Sequence, residues 1–238
     1  YILIENVPRS LKLFYPFRKN YHGIEYILNK LFANQYEIKV DVFDAKDFGV
    51  PQYRKRSIIR MYRKGLSWPE PKKSKKIITL KDSIGHLPSL ESGQDSGIKY
   101  HYAKKHNDRD VHALMHTSEG KSALLNKVHY PKRADGKRIS GFHNTYKRMS
   151  WNEPAKARTT NCGNIGSHNN VHPGKKLKNG TYSDARVLTL LETFIVSSIP
   201  QNIDLPDWAS DAFIRKMIGE AIPPLMCKKI LETIGSKS

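Results

Sequence analysis

The first 65 residues of this 238-residue chain predict an α/β fold, and three stretches carry the prediction. Residues 1–4 are a short apolar run, a buried strand. Residues 21–33 place Tyr21, Ile24, Ile27, Leu28, Leu31 and Phe32 at helical spacing. Residues 36–43 alternate Ile38, Val40 and Val42 with Lys39 and Asp41, which is strand spacing. Strand, helix and strand in this order imply a right-handed crossover and a largely parallel sheet.

The remaining elements follow in order. Residues 8–17 predict a loop, because Pro16 argues against a helix. Gly49-Val50-Pro51 breaks the chain, and residues 57–62 form a further strand. A sheet of about three strands with one helix is too small to bury its own faces, so the domain needs more protein. Trp68-Pro69-Glu70-Pro71-Lys72-Lys73-Ser74-Lys75-Lys76 is a proline-and-lysine linker, expected as a solvated connector and compatible with phosphate contact. Residues 77–87 predict a short helix entry with Asp82 as a possible cap. Residues 88–180 are the least regular part, rich in Lys, Arg, Asn, Tyr and Gly. Residues 183–199 predict a helix capped by Ser183 or Asp184, with Val187, Leu188, Leu191, Phe194 and Ile195 as its apolar stripe. Arg186 and Glu192 are too far apart for one helical ion pair, so each is expected to tie that helix to its neighbours. A helix over 211–217 and a last helix over 225–234, opened by Pro223-Pro224, complete the chain.

Lys and Arg number 41 against 22 Asp and Glu, a formal charge of +19, and 38% of residues are hydrophobic. Such a surplus favours a polyanionic partner, nucleic acid first. No apolar run approaches the twenty residues of a membrane span. Two cysteines make no disulfide framework and suit a reducing cytoplasm.

Two polar blocks stand at strand ends, where open α/β sheets bind ligands. Glu5-Asn6 sets a carboxylate beside a carboxamide. Gln52, Arg54 and Arg56 fall at alternate positions and on an extended segment share one side. A carboxylate suits the hydrogen-bonding edge of a nucleobase, and guanidinium groups hold phosphate or carbonyl oxygen. Taken singly, each block also reads as an exposed acid or a solvated basic loop.

Together the motifs resemble the cytosine-C5 DNA methyltransferase family. Glu5-Asn6-Val7-Pro8 is similar to its Glu-Asn-Val motif. Gln52-Tyr53-Arg54-Lys55-Arg56, with its Gly-x-Pro lead-in, is similar to Gln-x-Arg-x-Arg. Arg186-Val187-Leu188-Thr189-Leu190-Leu191-Glu192 resembles Arg-x-Leu-Thr-x-x-Glu. Gly219-Glu220-Ala221-Ile222-Pro223-Pro224 resembles the last motif, usually Gly-Asn-x-Val-Pro. Trp151-Asn152-Glu153-Pro154-Ala155 and His172-Pro173 fit a segment that supports the recognition region. The family's cofactor loop and Pro-Cys nucleophile lie upstream of Glu-Asn-Val. Here Cys162 and Cys227 lie downstream of Glu5 and follow no proline. The resemblance therefore implies the C-terminal half of an enzyme, either one subunit of a split methyltransferase or a piece of a longer chain.

The implied fold is part of a Rossmann-like S-adenosylmethionine-dependent methyltransferase sheet plus an irregular, mostly β target recognition domain. The implied division is 1–65 catalytic, 66–200 linker and recognition domain, and 201–238 a return to the catalytic domain. The implied function is a sequence-specific cytosine-5 methyltransferase component of a bacterial restriction-modification system, cytoplasmic and nucleoid-associated. It would act on double-stranded DNA with a complementary half that supplies the cofactor loop and the Pro-Cys nucleophile. Glu5, Arg54 and Arg56 would grip a flipped cytosine, with Asn6 and Gln52 positioning it. S-adenosylmethionine would be held in a pocket shared with that half, with Glu220, Ala221 and Ile222 on this side. Glu220 stands where Asn is usual, which favours backbone contacts.

Base-edge and phosphate candidates are Arg133, Lys137, Arg138, His143, Asn144, Lys147, Arg148, Arg158, Asn161 and Asn164. The Asp135-Gly136 turn between basic arms makes residues 130–139 the preferred groove-facing loop. His112 and His116 are four apart, with His101 and His106 nearby. No Cys or carboxylate spacing completes a zinc set, so these histidines read as surface or phosphate contacts and no metal is expected. A tRNA cytosine methyltransferase and a non-catalytic DNA-binding subunit are the alternative readings.

Overall fold

A computed structural model describes residues 1–235. The chain forms two compact units, one of Tyr1–Ile77 with the stretch from Ile222 on, the other Ile78–Ala221. The first unit holds β1 (Ile2–Asn6), β2 (Phe14–Phe17), β3 (Asn20–Gly23), α1 (Ile24–Phe32), β4 (Tyr36–Asp44) and β5 (Lys55–Arg63). The second holds α2 (Leu80–Ile84), α3 (Asp108–Met115), α4 (Leu190–Val196) and α5 (Asp211–Glu220), and α6 (Pro224–Leu231) returns to the first.

The sheet order is β1-β5-β4, and β5 runs antiparallel to both neighbours. β1 and β4 thus point the same way, as a crossover through α1 requires, but no hydrogen-bonded pair is parallel. This corrects the expected largely parallel sheet. Only residues 45–54 join β4 to β5, and a parallel return needs a dozen or more. A second correction concerns residues 8–17: after a 3-10 turn at Pro8–Lys12, β2 and β3 form a hairpin with Pro16 inside β2.

Alternation on β5 sorts its side chains between two layers. Ile58 and Tyr62 pack with Phe43, Phe48, Val50, Trp68 and with Met226 and Ile230 of α6. Ile59 and Met61 face Leu28 of α1. Trp68 is 1% exposed and its indole donates to Ile230 O at 3.1 Å. Arg60 donates to Pro69 O at 2.7 Å. The linker expected to be solvated is therefore anchored to the first unit, while Glu70 and its lysines face water. This anchoring places the unit boundary at 77/78 and not at the predicted 65/66.

Among the described residues no strand pairs with the outer edge of β1. Ile2 and Ile4 lie opposite Met61 and Ile59, yet remain 42% and 37% exposed, because α1 packs over β4 and β5. An apolar edge strand with a bare face is a template for further protein.

The second unit is irregular as expected but not mostly β. Its described backbone pairs through single bridges such as Ser122–Lys147 and Val171–Val187, with no strand between Ile78 and Ala221. A sequence without sustained alternation cannot keep one face buried along a ladder. Buried arginines join the loops instead. Arg148 is fully buried, and its guanidinium donates to Leu114 O, His172 O and Asp184 O at 2.9–3.3 Å. Gly174 adopts φ +69°, and a Cβ there would sit 2.4 Å from Arg148 Nη1.

The helix predicted over 183–199 begins only at Leu190. Thr189, not Ser183 or Asp184, caps it: the Thr189 hydroxyl accepts from Glu192 N–H while the Glu192 carboxylate accepts from Thr189 N–H. Such a box contributes about 1 kcal/mol. Arg186 consequently lies outside the helix and reaches Glu192 directly at 2.7 and 3.0 Å, correcting the expectation that the two bind separate neighbours. Thr79 likewise caps α2, with Asp82 as its partner three residues on. α5 packs so closely on the Thr159–Thr160 backbone that a Cβ on Gly219 would lie 2.4 Å from it. That packing carries the second unit on to Ala221, beyond the predicted 200/201.

Candidate active-site residues and nucleic-acid interface

In the first unit, the β1–β5 register pairs Glu5 with Ile58 and Asn6 with Ser57. Glu5 therefore shares a face with Arg56, one diagonal step away. Glu5 Oε1 lies 2.6 Å from Arg56 Nε, with side chains 26% and 12% exposed. Burial lowers the Arg56 pKa, while the Glu5 charge and hydrogen bond work the other way. Arg56 also donates to Lys55 O at 2.9 Å, so the guanidinium is held from two sides. Asn6 Oδ1 accepts from Val7 N–H at 2.8 Å, and Ser57 Oγ donates to Asn6 O at 3.0 Å, fixing the turn after β1.

Gln52 and Arg54 are 1% and 3% exposed, Tyr53 is half-buried and Lys55 exposed, which is the alternation of an extended segment. Arg54 N–H donates to Asp44 Oδ1 at 2.9 Å, and Ala45 N–H donates to Arg54 O at 3.1 Å. Asp44, which the sequence did not single out, thus sets the path of the arginine block at the end of β4.

Neither cysteine suits a nucleophile. Burial and then the Glu5 charge push the Cys227 thiol pKa up. Cys162 is 1% exposed, with Sγ against Arg215 O.

The residues expected to meet S-adenosylmethionine run from the end of α5 towards the start of α6, with Glu220 and Ala221 exposed. Ala221 N–H is spent on Met217 O at 3.0 Å, Ile222 packs into the first unit's core, and Pro223 and Pro224 have no N–H to offer. The Ala221 N–H is therefore taken up within α5, and the two prolines offer no donor at the start of α6.

In the second unit, residues 131–139 form the expected hairpin. Lys132 bridges Arg138, Arg133 N–H donates to Lys137 O at 2.8 Å, and Gly136 takes φ +81°. Arg133 and Lys137 project as exposed cations. Arg138 folds back, donating to Leu124 O and Asn126 O, with its guanidinium 4.4 Å from the Tyr130 ring centre. Lys147 is half-buried, His143, Asn161 and Asn164 are exposed, and Asn144 is half-buried. Arg148 and Arg158 leave the set of DNA-facing cations. Arg158 is 1% exposed and donates to Lys156 O and Asn169 O at 2.9 Å. Burial lowers the pKa of each to about 10, so both stay charged as internal clamps.

The Arg186 motif is structural. Arg186 donates to both oxygens of Glu192, to Asp184 Oδ1 at 2.9 Å and to Leu90 O at 2.7 Å. Burial works against the carboxylates of Asp184 and Glu192, but the charges and hydrogen bonds around them win and hold both below the usual range. His172 lies within 3.7 Å of both, without forming an ion pair. Burial, helped by Arg186, pushes its pKa down to about 4, and its Nδ1 accepts from Gly174 N–H at 3.1 Å, as a neutral ring does.

The histidines separate by role. His101 is buried between Thr189 Oγ1 and Pro88 O, and His106 Nε2 accepts from Val187 N–H. His112 and His116 are joined by His129, which the sequence reading passed over. No local spacing could reveal it, because a loop brings it back to α3.

A family model for C-5 cytosine-specific DNA methylase matches residues 1–236. The chain belongs to the C-5 cytosine-specific DNA methylase family. Type II methyltransferase M1.HgaI of Avibacterium volantium is 45% identical over all of this chain and 66% of its own length. Type II methyltransferase M1.HphI of Haemophilus parahaemolyticus is 28% identical over 84% of this chain and 48% of its own. This C-5 methylase chain thus spans about half to two thirds of the curated relatives it matches. A protein described as a DNA modification methyltransferase of an E. coli prophage aligns with TM-score 0.63 at 16% identity, over 97% of this chain and 67% of its own. Entamoeba histolytica methyltransferase EhMeth gives 0.57 at 14%, over 97% and 61%. These likenesses show a shared mixed α/β fold. Among the described residues no helix is long and apolar enough to cross a membrane.

Proposed function

We propose that this chain is the base-gripping and DNA-reading part of a sequence-specific DNA cytosine-5 methyltransferase of a type II restriction-modification system. The observation that carries the reading is the Glu5–Arg56 contact of 2.6 Å at the rim of a sheet whose β1 edge is bare. Glu5 would hold the N3 and amine edge of an extruded cytosine and assist its protonation. Arg56, already bonded to Glu5, fixes the carboxylate's direction and keeps positive charge beside the base. Arg54 is proposed to hold the nucleotide with it, while Asn6 and Gln52 fix the surrounding backbone.

The bare edge of β1 is proposed to pair with protein that carries the cofactor loop and the Pro-Cys nucleophile, completing a Rossmann-like sheet. Both cysteines here being poor nucleophiles supports that division. S-adenosylmethionine, the family's methyl donor, supplies the methyl group and is proposed to be held mainly by that other protein. The second unit is proposed as the target recognition domain, with Arg133 and Lys137 at the groove.

The test is methylation of duplex DNA by the chain mixed or fused with an upstream segment bearing the Pro-Cys motif. Methyl transfer by the reconstituted pair that is absent from either part alone supports the reading. Reconstituted protein that methylates tRNA and not DNA, or that only binds DNA, overturns it.

A further inference from the structure

We propose that His112, His116 and His129 form a binding site for a zinc-class divalent transition-metal ion, which fastens α3 to the loop carrying the basic hairpin. One nitrogen from each imidazole lies within 4.8 Å of the other two, and His112 Nε2 is 3.0 Å from His129 Nδ1. Zinc–nitrogen bonds of about 2.0–2.1 Å in a tetrahedral site put donor atoms ~3.3 Å apart. The site therefore needs only small side-chain rotations to close.

Each ligand is positioned independently of an ion. His112 and His116 are one helical turn apart, so their rings project from the same side of α3. His129 is held against that side by Asn126, whose amide donates to His129 O at 2.7 Å, Ala113 O at 3.2 Å and Thr117 Oγ1 at 3.0 Å. Its ring stacks on His116, centres 3.7 Å apart. The hydrogen bond between two ring nitrogens requires that one of them offer a lone pair, which is the form that ligates metal.

A set of three imidazoles selects zinc, copper, cobalt or nickel over magnesium and calcium, which prefer oxygen. Beside the rings lies a cavity of about 340 Å³ lined in part by Asp108, Arg109, Tyr130 and Lys132. It leaves a fourth coordination position open to water. Three neutral ligands leave the ion's charge uncompensated, adding positive potential next to Lys132, Arg133 and Lys137. The ion would thus order the hairpin and strengthen its attraction for phosphate.

The experiment uses the full chain, stripped with a chelator and dialysed against Zn²⁺ alone, with bound metal measured by elemental analysis. The expected result is one ion per chain, with affinity falling at least tenfold in His112→Ala and His129→Ala and unchanged in the exposed His86→Ala. His112 is exposed, so its substitution leaves folding intact even if the His129 variant is unstable. Zn²⁺ should also slow proteolysis between residues 126 and 139. Binding no tighter than in His112→Ala, or an equal loss in His86→Ala, overturns the site. Zn²⁺ binding without protection of that loop overturns the fastening role. If the variants weaken binding to duplex DNA equally with and without chelator, the histidines are phosphate contacts and the proposal fails.

Discussion

Arg56 Nε and Glu5 Oε1 stand 2.6 Å apart on adjacent antiparallel strands, one diagonal step from register, so the ladder itself brings the two motifs together. A partly buried carboxylate held this way has its direction set before any base arrives, which is how preorganised sites limit reorganisation.

Glu5→Gln, assayed with the complementing segment, is expected to lower methyl transfer roughly 100-fold or more while DNA binding stays within a few-fold. Arg56→Lys keeps the charge but not the planar fork and should lose most of the same activity. Turnover and gel-shift affinity measured side by side check both. Turnover near wild type in Glu5→Gln removes that residue from the chemistry.

The two classes of arginine in the second unit should separate in a salt titration. Arg133→Ala and Lys137→Ala should each reduce the slope of log affinity against log salt by about 1 if each meets one phosphate. Arg148→Ala should instead lower stability by about 1–3 kcal/mol, because it leaves the buried His172 O without its donor, while Leu114 O and Asp184 O keep the Thr117 and Arg186 N–H groups. Denaturant unfolding distinguishes the outcomes.

Acid should weaken the second unit in two stages. His172 has a folded pKa near 4 against about 6.5 unfolded, and His106 is pushed down to about 4 by burial and nearby cations. Between those values the unfolded chain binds more protons, so stability falls as pH drops, by about 1.4 kcal/mol per pH unit for each fully shifted histidine. Below about pH 4 the depressed Asp184 and Glu192 add their own loss as unfolded carboxylates protonate. His172→Asn retains an acceptor for Gly174 N–H and should flatten the upper stage. An unchanged slope between pH 6.5 and 4 would count against a neutral buried His172.

The bare β1 edge predicts self-association of the isolated chain. Ile4→Lys should reduce it in sedimentation velocity, since a charge on an edge discourages strand addition. The same substitution should weaken co-purification with the complementing segment. Equal association in both variants would place the sticky surface elsewhere.

Local pattern was enough to reveal the strands expected at 36–43 and 57–62, which form over 36–44 and 55–63, the helix expected at 21–33, which forms over 24–32, and the Asp-Gly hairpin, because side-chain period and turn chemistry act over a few residues. Motif order alone pointed to Glu5 and Arg56. Tertiary structure decided the rest. Only the β1-β5-β4 order joins the two motifs, only burial turns Arg148 and Arg158 from groove candidates into clamps, and only a loop returning to α3 brings His129 to its partners. The physical reason is common to all three: a residue's chemistry is written in its type, but its water, its neighbours and its charge partners are set by segments distant in sequence.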